Sequence, residues 1–267
     1  MRGVMRRLLS RWYHLVMGVA VGRYYCPVCQ RRVFRFMPID PGIVTGGKSV
    51  SRRKGSSVNE FLHAEQYSCP HCRASDRSRL YAVYVRDYLA QHAGNNAVFL
   101  DIAPVGSLSK YFKRIVPQHR GWSYVSLDLN IPTADIQADI SAMPAVESDS
   151  VDFFICSHVL EHVPDDKAAM RELYRILRPS GAGIAMVPIN LGVHQTDEDP
   201  SVTDPEERIR RFGQHDHVRR YAKTDFIARL EQAGFRVCLL GMEHFGNDLY
   251  RRLGLKSNSL LYIVHKD

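Results

Sequence analysis

The sequence predicts an α/β fold built on a doubly wound parallel sheet, preceded by a small ribbon-like module. Three observations predict it. From residue 95 onward, short apolar runs of strand length alternate with longer segments of helical periodicity. Three of these apolar runs end on an aspartate. Before residue 95, the tetrapeptide pattern Cys-Pro-x-Cys occurs twice.

The stretch 97–108 is the clearest strand–turn–helix unit. Residues 97–100 form an apolar run of the length of a buried strand, which Asp101 ends. A turn of small residues follows, and residues 108–115 have helical periodicity. Ligands bind beyond the carboxyl ends of such strands. Because only Gly106 stands where a dinucleotide fingerprint has three glycines, a nicotinamide oxidoreductase is disfavoured.

The next units continue this alternation. A second strand over 122–127 ends on Asp128, whose carboxylate has only acceptor oxygens and therefore suits ribose hydroxyls. A short third strand over 134–140 carries Asp139, which is placed to accept from an exocyclic amine. The other predicted elements are strands at 153–156, 183–187, 235–240 and 260–265, and helices at 166–177, 206–212 and 225–233.

The composition leaves the kind of partner open. The chain has 267 residues, 45 % of them hydrophobic, and a net charge of +8. This charge suits nucleic acid, a phosphorylated substrate or a membrane surface, and equally a solvated basic surface. Residues 1–22 combine several arginines with an apolar run too short to span a bilayer. They predict either a basic amphipathic helix on an anionic membrane or a helix packed on the protein.

The two Cys-Pro-x-Cys copies predict a zinc-ribbon-like module. Two residues between thiolates let one turn aim both sulfurs at one ion, and two such turns complete a tetrahedral site. Four thiol ligands leave no open position, so the zinc is expected to be structural; a redox pair or unrelated thiols are the alternatives. Unpaired cysteines elsewhere indicate a reducing, cytoplasmic compartment. The predicted metal ligands are Cys26, Cys29, Cys69 and Cys72.

The amino-terminal module is expected to span residues 23–94. It contains a ribbon strand at 32–37, a polar mobile insert at 46–57 and a helix at 75–91. Arg77 and Arg79 stand in the first turn of that helix, where positive charge opposes the helix dipole. They either face an anion or are solvated and paired with neighbours. Residues 95–267 form the second domain.

The chain from Val98 to Pro188 resembles the class I S-adenosylmethionine-dependent methyltransferases, specifically the type 11 methyltransferase domain. The residues that carry the resemblance are FLDIAPVGSL at 99–108, VSLDLN at 125–130, ADIQADISAMP at 134–144, DFFICSHVLEHVPDD at 152–166 and LRPSGAGIAMVP at 177–188. The resemblance implies a Rossmann-like, seven-stranded, mostly parallel sheet with an antiparallel edge. It also implies that S-adenosylmethionine is the methyl donor.

The resemblance assigns cofactor contacts residue by residue. Asp101 and the turn that follows it approach the methionine part, Asp128 binds the ribose with Leu129 beside it, and Ser157 and His158 line the pocket near the sulfonium. The family usually has glycine at the positions of Ala103 and Val105, so this turn departs from its pattern. The remaining implied contacts are Ala103, Pro104 and Gly106 in the turn, and Asp139 and Ile140 at the adenine.

Residues 188–220 are expected to form a substrate loop. The whole chain resembles bacterial methyltransferases that pair the two cysteine motifs with a Gly-Gln-x-Asp-His-Val-Arg segment and are associated with surface-glycan or small-molecule pathways. His215 and His217 are candidate general bases and Asp216 an orienting group, although each histidine also fits an ordinary surface role. The candidate substrate-binding residues are His194, Asp197, Glu198 and Arg219.

These features together predict methyl transfer to a small-molecule or glycan acceptor, at oxygen. An RNA methyltransferase is the first alternative, since a zinc module and basic charge fit nucleic acid. A non-catalytic binding module that keeps the fold is the second, because the cofactor turn is poor in glycine. The expected location is cytoplasmic, with membrane contact through residues 1–22 as a further possibility, and the oligomeric state is left open.

Overall fold

The computed structural model describes residues 22–39, 59–92 and 94–267. The predicted amino-terminal helix at 1–22 and the polar insert at 46–57 lie outside these residues, except for Gly22. Both therefore stay predictions. In the described part of the chain, no helix is both long enough and apolar enough to span a membrane.

The predicted seven-stranded, mostly parallel sheet is confirmed. One strand, β11, runs antiparallel to both of its neighbours, and it is second from the edge. The spatial order is β10-β11-β7-β6-β3-β4-β5. The strands of this sheet are β3 (Ala97–Ile102), β4 (Trp122–Asp128), β5 (Ile136–Gln137), β6 (Val151–Ser157), β7 (Leu177–Met186), β10 (Arg236–Leu240) and β11 (Leu261–His265).

Two short antiparallel pairs stand apart from this sheet. One joins β1 (Tyr24–Cys26) to β2 (Arg31–Val33), and the other joins β8 (Asp197–Glu198) to β9 (Arg219–Arg220). A 3-10 turn at Val116–Gln118 precedes β4. The helices are α1 (Asp76–Gln91), α2 (Gly106–Ile115), α3 (Asp166–Ile176), α4 (Pro205–Phe212), α5 (Lys223–Gln232), α6 (Met242–Phe245) and α7 (Asn247–Leu253).

The ends of several predicted elements were wrong. The third strand shrinks to two residues, because Asp135 folds back to accept from the Ser126 amide and hydroxyl rather than extending a ladder. The strand predicted at 183–187 starts at Leu177, directly where α3 ends. The ribbon strand predicted at 32–37 ends at Val33, and α6 and α7 were not predicted.

The strand order reverses between β3 and β6. From β3 the chain moves outward through β4 and β5, and it then returns to build β6 and β7 on the other side. β3 and β6 pair in parallel, with Ile102 opposite Cys156. A crevice beyond the carboxyl ends of the strands at such a reversal is the usual ligand site of an open α/β sheet. The turns after β3 and β6 therefore bound the expected site.

The amino-terminal module packs onto the sheet domain through α1. Tyr88 of α1 lies against Phe153 of β6, with ring centroids 4.6 Å apart. Arg79 is fully buried and donates to the carbonyls of Gln66, Tyr67, Ala74 and Leu253. Its guanidinium also stacks on the Phe36 ring at 3.5 Å. The expectation that Arg79 faces an anion or solvent was thus wrong, since this guanidinium links the module, α1 and the end of α7.

Candidate active site

The four predicted metal ligands converge in the amino-terminal module. The Cys26 and Cys72 sulfurs are 3.6 Å apart, and the Cys29 and Cys69 sulfurs are 3.8 Å apart. A tetrahedral ion with metal–sulfur distances of about 2.3 Å needs sulfur–sulfur distances of about 3.8 Å. A disulfide would instead require about 2.05 Å. The cluster is therefore compatible with a zinc site of four thiolates.

The first site turn follows β3. Asp101 is 4 % exposed, and its carboxylate accepts from the Tyr124 hydroxyl at 2.8 Å. Burial raises the pKa of Asp101, against the lowering effect of hydrogen bonds from Ser109 and Tyr124. Ala103 has φ +52° and Gly106 has φ +61°, both in the left-handed region. Ala103 thus holds a backbone conformation that favours glycine, at a position where the related family usually has one.

The turns after β4 and β5 present two further acids. Asp128 Oδ1 accepts from the amides of Asn130 and Ile131, at 2.7 and 2.8 Å. Its second oxygen, Oδ2, has no hydrogen-bond partner among the described residues. Leu129 beside it is 55 % exposed, whereas Ile140 is buried. Asp139 is exposed and uses Oδ1 to accept from Ser141.

A cavity of about 370 Å³ opens beyond the ends of β6 and β7. It lies between the start of α1 and the segment that joins α4 to β9. Its lining includes Arg77, His158, Asn190, His217 and Arg220. Neither Arg77 nor Arg220 has a side-chain hydrogen bond or ion pair within the described part of the chain. The lining thus contains these two guanidinium groups and two imidazoles, together with Arg219, which pairs with Glu198, and the buried Asp76.

A buried carboxylate lies beside this cavity. Glu161 is 1 % exposed, and His158 Nδ1 lies 3.1 Å from its Oε1. That contact is not aligned as a hydrogen bond, and neither oxygen of Glu161 has a hydrogen-bond partner in the described structure. His158 has φ +58°, a strained conformation of the kind found at functional sites. Burial lowers the pKa of His158 and that of His217, so both imidazoles favour the neutral form.

The three predicted catalytic residues are not equivalent in the structure. His217 is buried and lines the cavity, and its Nδ1 lies 3.3 Å from the Phe212 carbonyl. His215 has a side chain that is 63 % exposed, and neither it nor Asp216 lines the cavity. Asp216 Oδ2 instead lies 3.4 Å from His162 Nδ1. Catalytic roles for these three residues stay predictions.

Three of the four predicted substrate-binding residues are engaged in ion pairs. Glu198 bridges Arg219 at 2.9 Å and Arg229 at 2.6 Å, and Arg229 also pairs with Asp166. Asp197 pairs with Arg211 at 2.7 Å. These contacts hold the segment 197–220 against α3 and α5, which is a positioning role. Arg219 also lines the cavity, whereas His194 is exposed and does not, so substrate contact by this set stays a prediction.

Sequence reasoning missed three contributors to this region. Tyr81 of α1 is buried, and its hydroxyl lies 3.1 Å from that of Ser157. Arg220 reaches the cavity from β9, and the cavity is also bordered by the start of α1, where Arg77 stands. The last is Glu161, which follows β6 and is buried. Residues 212–219 return to the segment that contains Glu161, where the Val218 amide donates to the Glu161 carbonyl. No local sequence pattern indicates this long-range contact.

Comparison with known proteins supports this architecture. Residues 84–185 match the type 11 methyltransferase domain family. A curated relative, an uncharacterized 37.1 kDa protein in transposon Tn4556 of Streptomyces fradiae, is 26 % identical over 147 residues. That match covers 50 % of this chain and 41 % of the relative, so it spans less than half of the relative's length.

Solved structures to which this chain is similar include three from different organisms. An S-adenosylmethionine-dependent methyltransferase of Archaeoglobus fulgidus is 15 % identical, with a TM-score of 0.45 over 72 % of this chain and 95 % of its own. The YcgJ protein of Bacillus subtilis is 13 % identical, with a TM-score of 0.41 over 68 % and 98 %. A phosphoethanolamine N-methyltransferase of Haemonchus contortus is 12 % identical, with a TM-score of 0.43 over 69 % and 53 %.

At such identities and TM-scores, these three structures say nothing about substrate. The sequence match, the strand order and the placement of the β3 and β6 turns agree with one another. Residues 84–185 of this chain therefore belong to the type 11 methyltransferase domain family.

Proposed function

We propose that this protein is an S-adenosylmethionine-dependent methyltransferase that acts at an oxygen of a small-molecule or glycan acceptor carrying an anionic group. The observation that carries the proposal is a cavity with two unpaired arginines at the carboxyl end of β6, beside the crevice at the strand reversal. The family of residues 84–185 supplies the reaction class.

The residues after β3 and β4 fit the cofactor. The open oxygen of Asp128 can accept from ribose hydroxyls, while its other oxygen keeps the turn rigid. Three apolar side chains after β3 and β4 are exposed: Val105 is 71 %, Leu129 55 % and Ile131 36 % exposed. They offer an apolar surface to the adenosine part. When bound, S-adenosylmethionine supplies an electrophilic methyl group on a sulfonium.

The chain's own residues then align the acceptor and remove its proton. His158 lines the cavity, and its Nδ1 lies 3.1 Å from the buried Glu161 carboxylate, whose negative charge favours a proton on the imidazole. The bond from the acceptor oxygen to the methyl carbon forms as the carbon–sulfur bond breaks. The electron pair of that bond stays on sulfur, and the hydroxyl proton passes to His158. Alignment of the two reactants accounts for much of the rate.

Arg77 and Arg220 determine the charge of the acceptor in this proposal. A half-buried guanidinium without a carboxylate partner favours a phosphate or carboxylate ligand, which it can bind in a bidentate manner. The matching acceptors are sugar phosphates, nucleotide sugars and uronic acids.

Transfer of a labelled methyl group from S-adenosylmethionine to a panel of these compounds, each with an uncharged counterpart, tests the proposal. We expect transfer to anionic members, with KM raised about tenfold in Arg77→Gln and Arg220→Gln and no change in donor affinity. The matched control is Arg86→Gln, because Arg86 stands on the same helix but pairs with Asp87. Equal turnover of charged and uncharged acceptors, or an equal effect of Arg86→Gln, would contradict the assignment of the arginines.

A further inference from the structure

A second cluster of potential metal ligands borders the cavity through one of its members, His217, and is far in sequence from the cysteine module. It consists of Glu161, His162 and His217, hereafter the Glu-His-His cluster. One ligand atom from each lies within 4.8 Å of the other two. Glu161 and His162 follow β6 directly, and His217 arrives from the segment after α4. A backbone hydrogen bond of 2.9 Å, from the Val218 amide to the Glu161 carbonyl, holds the two segments together.

The charged or titratable groups nearest to the buried Glu161 carboxylate are imidazoles, and no lysine or arginine pairs with it in the described structure. It is 1 % exposed, and neither oxygen has a hydrogen-bond partner in the described structure. The imidazole nitrogens nearest to Oε1 are His158 Nδ1 at 3.1 Å and His162 Nε2 at 4.0 Å. A buried charge normally has a hydrogen-bonded partner or binds a metal ion. The surroundings of Glu161 thus match an anion whose counter-charge is a cation.

Both histidines of the cluster are oriented as metal ligands are. His217 Nδ1 lies 3.3 Å from the Phe212 carbonyl, and His162 Nδ1 lies 3.3 Å from the Asp216 carbonyl. A carbonyl oxygen only accepts, so Nδ1 carries the hydrogen in both rings and Nε2 keeps its lone pair. A ligating histidine commonly donates its other N–H to a carbonyl or carboxylate in this way. The two rings meet edge to face, with centroids 4.7 Å apart.

We infer that the Glu-His-His cluster binds one divalent transition-metal ion, beside the acceptor cavity. Two imidazoles and one carboxylate suit zinc, cobalt or manganese and leave coordination positions open, unlike the four thiols of the cysteine site. His217 lines the cavity, so the open positions can reach a ligand there.

The role of the ion follows from its position. An oxygen of the acceptor bound to the ion would lose its proton more readily, and His158 stands beside it to take that proton. Only this role rests on the proposed function, since the metal site itself stands on the geometry of the described residues. The assignment also makes His217 a metal ligand rather than a general base.

Metal stoichiometry tests the inference directly. The full chain is equilibrated with buffered ZnCl₂, and bound metal is measured by mass spectrometry after gel filtration. We expect two equivalents in the unaltered protein and one in Glu161→Gln, His162→Gln and His217→Gln. The matched control is His215→Gln, which changes an exposed neighbouring histidine and should keep both equivalents. The metal equivalent that stays on the four cysteines shows that each variant is folded. Because His162 is half-exposed, His162→Gln tests the same site with less risk of misfolding than Glu161→Gln.

Replacement of zinc by CoCl₂ distinguishes the two sites by spectrum. Cobalt on the cysteine site shows thiolate charge-transfer absorption, and cobalt on the Glu-His-His cluster adds only weaker ligand-field bands. We expect these weaker bands to vanish in His162→Gln while the thiolate absorption is unchanged. A single equivalent in the unaltered protein would overturn the inference, as would a second equivalent that survives all three substitutions. Two equivalents without any methyl transfer would overturn the proposed function and leave the metal site standing.

Discussion

At the scale of single residues, the turn after β3, where we propose that the cofactor binds, holds Ala103 in a strained backbone conformation. Ala103 has φ +52°, and its amide donates to the Leu127 carbonyl at 2.8 Å, which holds the turn against β4. The left-handed conformation costs an alanine about 1 kcal/mol. A strained residue persists only where its surroundings fix it, and here β3 and β4 do so.

Ala103→Gly is expected to relieve this strain. Glycine adopts the left-handed conformation freely, but it raises the entropy of the unfolded chain, so the net gain in unfolding free energy is about 0.5 kcal/mol. We also expect equal or tighter binding of S-adenosylmethionine. Urea unfolding and calorimetry measure the two effects. Ala145→Gly, at an ordinary φ, is the control and should lose stability; a comparable loss in Ala103→Gly would contradict the account.

At the scale of elements, the segment 197–220 is held in place by ion pairs. Hydrogen bonds from Arg229 and Arg219 lower the pKa of Glu198 from its ordinary value of 4.5 to about 2, against the opposing effect of burial. A carboxyl group whose pKa is lower in the folded state stabilises the fold above its unfolded pKa. That contribution is lost as the pH falls from about 4.5 towards about 2.

Glu198→Gln is therefore expected to destabilise the protein at pH 7 but to matter progressively less below pH 4.5. The difference in urea midpoint between variant and unaltered protein, followed from pH 7 to pH 2.5, is the measurement. Glu243→Gln, which changes an exposed carboxylate outside the network, should show no such trend. A constant difference for Glu198→Gln over the whole range would show that the ion pairs do not act as described.

The sequence allowed the elements to be predicted better than their contacts. Periodicity located β3, β4, β6 and α1–α5, because each has an apolar face or run of its own. It could not place α6 and α7, which are short and depend on tertiary packing, α6 against α7 and β10, and α7 against β1 and α1. It also could not show that Glu198 and Arg219 bind each other, since that pairing arises from the fold of two distant segments. Tertiary contacts, not local propensity, decide such features.

At the scale of the whole molecule, the amino-terminal module and the sheet share one hydrophobic core. Cys26, Phe36 and Leu80 belong to the same buried cluster as Phe153 and Tyr262. Arg79 joins the module to the end of α7 through its bond to the Leu253 carbonyl. A module integrated in this way should not unfold separately from the sheet.

Removal of a zinc ion from the four predicted cysteine ligands is therefore expected to lower the stability of the entire chain. Metal binding at a thiolate site contributes directly to folding free energy, so Cys72→Ser should lower Tm by about 10 °C and keep a single transition. Calorimetric scans measure this, with Cys238→Ser as the matched cysteine control outside the cluster. Two separate transitions, or no change in Cys72→Ser, would contradict a shared core supported by metal.

The whole site was predictable only in part. The turns after β3 and β4, where we propose that the cofactor binds, follow strand ends that each carry an aspartate, which is a local signal. The acceptor cavity did not, because α1, β6 and the segment after α4 contribute to it from three separate parts of the chain. Glu161 and His217 could not be predicted as neighbours for the same reason, since one follows β6 and the other lies in the segment after α4. Each nevertheless lies in a motif that can be recognised in the sequence.

Calorimetric titration of the zinc-loaded protein with S-adenosylmethionine is the most direct test of whether this donor binds at the ends of β3 and β4. We expect a dissociation constant in the micromolar range, which corresponds to a binding free energy of about −8 kcal/mol. Asp128→Ala should weaken binding at least about tenfold. Asp248→Ala, which changes an exposed aspartate on α7, should bind as the unaltered protein does. The absence of binding by the folded protein, or equal binding by Asp128→Ala, would contradict the placement of the cofactor at the ends of β3 and β4.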